Sequence, residues 1–279
     1  MGVQITTLIE NQIDDNGQLL FEHGLSLYIE TDGKTLLFDT GQSGDFLKNA
    51  KVLGKDLNIL DYCILSHGHY DHTGGLEHFV SETMKLPKLI VGEEFFNSKY
   101  KAIGTKEYKF NGNSFQESFV EKLSTDLIKV SEDMISLTEN IFVFHHFKRH
   151  NDFEQRDSKF LLKIGEEYLP DDFADEIALG IITKKGLVVV VGCSHVGIIN
   201  ILRTISERAQ VPIYAVVGGT HLVDSGEERI RKTIEIFQEM KIQLVALSHC
   251  TGDNGILKLQ ERMKGQFIHN NTGHVLIIE

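Results

Sequence analysis

Short apolar runs, broken by glycine, asparagine or aspartate, recur along most of the chain, and stretches with helical spacing lie between several of them. Residues 3–10 and 24–30 read as strands rich in β-branched and aromatic side chains. Asp32-Gly33 marks a hairpin turn that returns the chain as a strand over 35–38. Helical spacing comes next over 46–53, then a strand at 61–65, a helix over 73–82 with Leu76, Phe79 and Val80 on one face, and a short strand at 88–91. In the second half 141–144 is a strand, and 177–183 and 187–191 flank Lys184-Lys185-Gly186 as a hairpin. The valines at 188–191 are apolar toward both faces, which predicts a central strand. Helix 196–208, strand 212–217, helix 227–240 with Ile230, Ile234, Ile236 and Phe237 inward, strand 242–247, helix 254–264 and strand 274–278 complete the alternation. Residues 93–140 resist this reading. Aromatic side chains (among them Phe95, Phe96, Tyr100 and Tyr108) mix there with charged ones without a period, around a Gly-Asn cluster at 111–113. This stretch is predicted to be an insertion over one edge of a single domain spanning 1–279, either a lid that lines a pocket or a surface subdomain with its own apolar cluster.

The loops that leave these strands carry the chemistry. The 61–65 run delivers Ser66-His67-Gly68-His69-Tyr70-Asp71-His72-Thr73-Gly74-Gly75-Leu76, three histidines and a carboxylate within six residues. Imidazole nitrogen and carboxylate oxygen are the ligands preferred by borderline divalent metals, zinc first among them. A tight loop would turn His67 and His69 to one side and Asp71 with His72 to another, which makes half-sites for two ions. Three further strands end similarly: 187–191 in Cys193 and His195, 212–217 in His221, and 242–247 in His249. Any one of these histidines alone is most simply a satisfied polar residue. Together, on loops that a rigid sheet would hold, they predict one site. His78 reads as a solvated helical residue. His145 and His146 come directly after a strand, and because adjacent side chains in extended backbone point apart, at most one can serve as a pocket residue. Asp171, Asp172, Asp175 and Glu176 form an acidic cluster that is either a solvated loop or a carboxylate source near the metals.

The string S-H-G-H-Y-D-H-T-G-G-L at 66–76 resembles the H-x-H-x-D-H signature of the metallo-β-lactamase superfamily. The resemblance implies an α+β fold, a four-layer αββα sandwich, with a mono- or dinuclear metal site at one edge. It implies that His67 and His69 bind a first metal, that Asp71, His72 and His249 bind a second, and that Asp39, at the end of the 35–38 strand, supports the metal loop. A turn aspartate with only a local backbone role would have the same sequence. Superfamily members usually place a histidine before a hairpin and a bridging aspartate at the end of its second strand. Here the acidic cluster precedes the hairpin and Cys193 holds the bridging position, so His195 takes the third imidazole place and coordination by Cys193 stays open. The strings G-C-S-H-V-G-I-I-N, G-G-T-H-L and S-H-C-T-G, with E-H-G-L-S near the start, resemble the branch described as dihydropterin ribofuranosylaminobenzene phosphate synthase-like. That likeness runs from Glu22 to Gly252.

Composition narrows the function. The formal charge is −12, from 28 basic and 40 acidic residues, and no basic stripe is visible, so a nucleic-acid partner is not expected. No apolar run reaches the roughly 18 residues of a membrane span, and the first residues lack the basic and apolar regions of a secretion signal. Cys63, Cys193 and Cys250 are odd in number and far apart, which suits a reducing compartment, the cytoplasm. The leading expectation is metal-assisted hydrolysis of a small anionic substrate (a phosphate ester, lactone or thioester) with one or two divalent ions, zinc before manganese or iron. Asp71 would orient the nucleophile and take its proton, and His221, or more weakly His23, would contact the substrate. A transferase joining a pterin pyrophosphate to an aminobenzene ribofuranosyl phosphate is the alternative. A second alternative is an iron-binding redox or sensor protein, which visible absorbance would reveal.

Overall fold

The computed structural model describes residues 2–14, 16–123 and 125–279. Two seven-stranded sheets pack face to face, and helices cover their outer faces, which is the αββα arrangement that the family resemblance implies. In the first sheet Val275–Ile278, Val3–Ile9, Ser26–Thr31 and Lys34–Phe38 run antiparallel, and Tyr62–Ile64, Lys88–Gly92 and Leu127–Val130 then add in parallel. The second sheet repeats the plan. Phe267–His269, Leu244–Leu247, Ile213–Gly218 and Gly186–Val191 are parallel, and Ala178–Thr183, Ile141–Phe144 and Met134–Ser136 continue antiparallel. Parallel pairs need crossovers, and the chain makes them with helices that bury one face.

Three apolar layers result. Leu27, Ile29, Leu36, Ile64, Val188, Val190 and Val217 meet between the sheets. Helix Ile198–Ala209 and helix Glu227–Glu239 lay Ile201, Ile205, Ile234 and Phe237 on the outside of the second sheet. Phe46, Leu76 and Phe79 do the same for the first. Full burial of each such side chain is worth about 1.5–3 kcal/mol. Gly186–Val191 is buried on both faces, as a central strand must be. The helix predicted over 73–82 runs from Leu76 to Thr83, and a separate short helix, Tyr70–Thr73, precedes it. Gly74 and Gly75 lie so close to the backbone of 40–43 that a Cβ would come within 2.3 Å of the Gln42 carbonyl oxygen and 2.1 Å of that of Thr40.

The predicted insertion is drawn differently. Leu127–Val130 and Met134–Ser136 belong to the two main sheets, and the layer over the site edge is a separate four-stranded antiparallel sheet. Its order is Glu167–Pro170, Phe160–Ile164, Lys99–Gly104 and Glu107–Phe110, so half of it comes from beyond residue 140. Its strands place aromatic and charged residues toward both faces, which erases the period-two signal. An isolated bridge between His69 and Gly112 ties this small sheet to the metal loop.

Candidate metal centre

Asp39 organises the site. It ends strand Lys34–Phe38 with φ +60°, a left-handed conformation that aspartate tolerates better than most residues. Its carboxylate accepts the Ser66 amide (2.7 Å) and the Ser66 hydroxyl (2.8 Å), and lies 2.6 Å from His72 Nδ1. Both ends of the 66–72 loop are therefore fastened to one buried carboxylate. Since the Ser66 hydroxyl donates to Asp39, the network assigns the proton between Ser66 and His67 to His67 Nδ1 (2.9 Å), and His67 Nε2 is left facing inward. His249, at φ +55°, is held similarly, with Nδ1 against Asn11 Oδ1 at 2.8 Å. Metal-binding imidazoles characteristically have their second nitrogen fixed by such a partner.

The inward atoms form two groups. His67, His69 and His195 make one, with ring centroids 4.6–4.9 Å apart. Asp71, His72, Cys193 and His249 make the other. In the second, His72 Nε2 lies 3.1 Å from both Cys193 Sγ and His249 Nε2, Cys193 Sγ is 3.3 Å from His249 Nε2, and Asp71 Oδ2 is 3.5 Å from His249 Nε2. In a tetrahedral shell with bonds of about 2.0–2.3 Å, ligand atoms sit roughly 3.3–3.7 Å apart. The 3.3 and 3.5 Å distances lie in that range and the two at 3.1 Å fall just short of it, so the group is close to the size of such a shell. In the first group, His69 Nε2 and both nitrogens of His195 are buried without a hydrogen-bond partner among the described residues. Orphaned buried nitrogens are costly; a cation among the three rings would take one nitrogen of His195, with His67 Nε2 and His69 Nδ1, 3.0 Å apart, as the facing pair.

Electrostatics separate the groups. Burial, followed by the neighbouring imidazoles and Lys99, holds His67 and His69 well below the usual histidine range, and burial with the surrounding histidines does the same to His195. These rings are neutral, as ligands must be. Burial would lower His72 too, but Asp39 and Asp71 override it and push it up to about 9. Burial would raise Asp71, yet His72, His23 and His249 keep it well below the usual carboxylate range. Burial raises the Cys193 thiol.

The structure also uses residues that the sequence left undecided or silent. Asp171, Asp175 and Glu176 are buried, whereas Asp172 is exposed and pairs with Arg156. Asp175 accepts the Gly68 amide (2.7 Å), and Glu176 accepts the amides of His195 and Val196 (2.8 Å each), so the acidic cluster braces both metal loops through their backbones. Lys99 lies at the centre of this brace, 2.9 Å from both Asp171 and Asp175. Glu10 and Asn11, at the end of the first strand, hold His249 by its amide and its ring. Apart from the acidic cluster itself, none of these contacts has a signal in the sequence, because a carboxylate that accepts an amide leaves no spacing rule.

His221 (φ +48°) stands beside the first group, 4.4 Å from the His195 ring, with Nδ1 buried and unpartnered among the described residues. His23 is exposed at the rim and reaches Asp71 at 3.2 Å, a hydrogen bond that raises its pKa. His78, His145 and His146 are not brought in. His78 is exposed on its helix, His145 bonds the Ala174 carbonyl oxygen and His146 pairs with Asp133. A cavity of about 520 Å³ opens above both groups, with His23, Asp71, His221, Phe160, Lys101 and Lys109 in its walls.

The sequence model of the metallo-beta-lactamase superfamily matches residues 20–196. The chain is 31% identical, over 99% of its own length and 96% of the relative's, to the 7,8-dihydropterin-6-methyl-4-(beta-D-ribofuranosyl)-aminobenzene-5'-phosphate synthase of Methanocaldococcus jannaschii. Among solved structures it superposes with TM-score 0.84 and 30% identity, covering 98% of both chains, on a metal-dependent hydrolase of the beta-lactamase superfamily. A diphosphatase of the PhnP family, at 14% identity and TM-score 0.56 over 100% of this chain and 98% of the other, shares the fold. With most of its strands, its H-x-H-x-D-H loop and its full-length relatives in agreement, this chain belongs to the metallo-β-lactamase superfamily.

Proposed function

We propose that the two side-chain groups hold one or two divalent cations, zinc before manganese or iron, and that the chain hydrolyses a small anionic substrate, a phosphate ester, lactone or thioester. The observation that carries this reading is the convergence of seven ligand-type side chains in two adjoining groups, with orphaned imidazole nitrogens in one and metal-shell spacing in the other. A divalent cation held by these residues would lower the pKa of water from about 15.7 to about 7 and polarise the bond to be cleaved. The remaining work belongs to the protein. Asp71, ionised and at the cavity floor, orients the attacking water and accepts its proton. His23, 3.2 Å from Asp71 and open to solvent, can pass that proton on to the leaving group or to bulk water. His221 presents a ring nitrogen to the substrate oxygen on which negative charge develops. The cavity suits a small molecule, and the acidic balance of the chain disfavours nucleic acid. The free, buried state of all three cysteines fits the cytoplasm.

A transferase reading draws on the synthase relative at 31% identity. In it the same cations would bind a pyrophosphate leaving group while an arylamine attacks a pterin carbon. Assaying phosphodiesters, lactones and thioesters beside a pterin pyrophosphate with an aminobenzoate-type acceptor separates the two. In either case Asp71→Ala should leave a folded protein and reduce turnover by at least about 100-fold, the usual worth of a positioned acid–base group. Turnover retained in this variant would exclude Asp71 from the chemistry.

A further inference from the structure

The small sheet over the site presents one row of side chains to the cavity. Lys109 stands directly opposite Lys101, and Lys101 directly opposite Phe160, so the register places all three on the inner face. The alternate positions Phe110, Tyr100 and Leu161 form a matching row on the outer face. Lys101 and Lys109 both line the cavity, and neither ammonium makes an ion pair or hydrogen bond among the described residues. Like charges directly opposite across a strand pair are destabilising. Lys99, two residues earlier on the same strand face, shows the contrast, since its ammonium is fully neutralised by Asp171 and Asp175. The Lys101 ammonium lies 5.3 Å from the centre of the Phe160 ring, and that ring is 5.1 Å from the rings of His69 and His195. The lysine pair is thus one aromatic ring removed from the candidate metal ligands. The carboxylates Glu10, Asp157, Asp224 and Asp253 also line the cavity, Asp157 close to Phe160 on the sheet side, so the two lysines are its only ammonium groups among the described residues.

We propose that Lys101 and Lys109 form a second anion subsite that holds a phosphate monoester group of the substrate, remote from the bond that reacts, with Phe160 packing against the part of the molecule between the two ends. A dianion matches two adjacent ammonium groups better than a carboxylate does, because a phosphate monoester carries about −1.5 to −2 at neutral pH. The proposal extends the reading of the metal centre as the reacting end of the cavity, but its test does not depend on turnover. Phenylphosphonate, an unreactive aromatic dianion at pH 8, would be titrated calorimetrically into metal-loaded wild type, K101Q, K109Q, the double variant and K101R/K109R, with benzenesulfonate as the monoanionic control. Each lysine-to-glutamine change should weaken phenylphosphonate binding at least about tenfold, as expected for a charged hydrogen bond. The control should change less, the arginine pair should restore binding, and metal content should stay constant. The thermal midpoint of the glutamine variants should hold or rise, since a like-charge contact is removed. Equal affinity in wild type and the double variant would overturn the subsite, with the phosphonate then bound at the metals. An equal loss for the sulfonate would overturn the preference for a dianion. Either result would leave the hydrolytic reading untouched.

Discussion

His72 shows how single residues divide one site into two with different proton requirements. Its ring is pinned between Asp39 and the second group and is pushed up to about 9, and burial holds the Cys193 thiol beside it protonated as well. In the first group His67, His69 and His195 are already neutral. A cation entering the second group must displace protons, whereas one entering the first displaces none near neutrality. Chelator competition between pH 6.5 and 8.5 should therefore show one nearly pH-independent affinity and one that rises with pH, roughly tenfold per unit for each proton released. Two affinities with the same slope would mean that Asp39 and Asp71 do not hold a proton on His72. At this scale the sequence was legible where chemistry is carried by residue type at fixed spacing, as in His67, His69, Asp71 and His72. It was illegible where a side chain works by accepting a backbone amide, as Asp175, Glu176 and Glu10 do. Any polar residue at any separation can play that part.

Among the elements, strands buried on both faces announce themselves, and the strands that lead to Asp39, the 66–72 loop, Cys193, His221 and His249 were all found from their apolar runs. The sheet formed by Lys99–Gly104, Glu107–Phe110, Phe160–Ile164 and Glu167–Pro170 did not, because it has one face toward a polar cavity and an aromatic row on the other. It is joined to the main body by the His69–Gly112 bridge and by Lys99, whose side chain is 2% exposed and bridges to the acidic loop 171–176, which in turn holds Gly68. Removing the ammonium would leave two carboxylates buried without a counter-charge. Breaking a buried pair in this way typically costs about 3–5 kcal/mol. Lys99→Met should accordingly lower the unfolding midpoint by about 6 to 20 °C and loosen the metal loop, whereas adding Asp171→Asn and Asp175→Asn should recover part of the loss. Differential scanning calorimetry of these variants checks it. A Lys99→Met protein as stable as wild type would show that the small sheet is not secured there.

At the scale of the whole molecule, the two groups draw from both halves of the sandwich. The first sheet contributes His67, His69, Asp71 and His72 after strand Tyr62–Ile64, and the second contributes Cys193, His195 and His249 after strands Gly186–Val191 and Leu244–Leu247. Neither half holds a complete set. Cations bound there would cross-link the sheets at the edge where their apolar interface ends, and would bind the folded chain alone, since the ligands span more than 180 residues of the unfolded one. Binding to the native state alone stabilises it by RT ln(1 + [L]/Kd), about 4 kcal/mol at a thousandfold excess over Kd, which corresponds to about 8 to 16 °C for a chain of this size. Stripping the metal should lower the unfolding midpoint by that amount and speed hydrogen exchange in the 66–72 and 192–197 loops, while strands between the sheets, such as 188–191, keep their protection. Returning zinc should restore both, in proportion to its free concentration. The contrast between loops and core is the decisive part. If exchange accelerated uniformly, the cations would be supporting the entire fold; if nothing changed, the ligands would be held in place by the protein alone, and the orphaned nitrogens of His69 and His195 would need another partner.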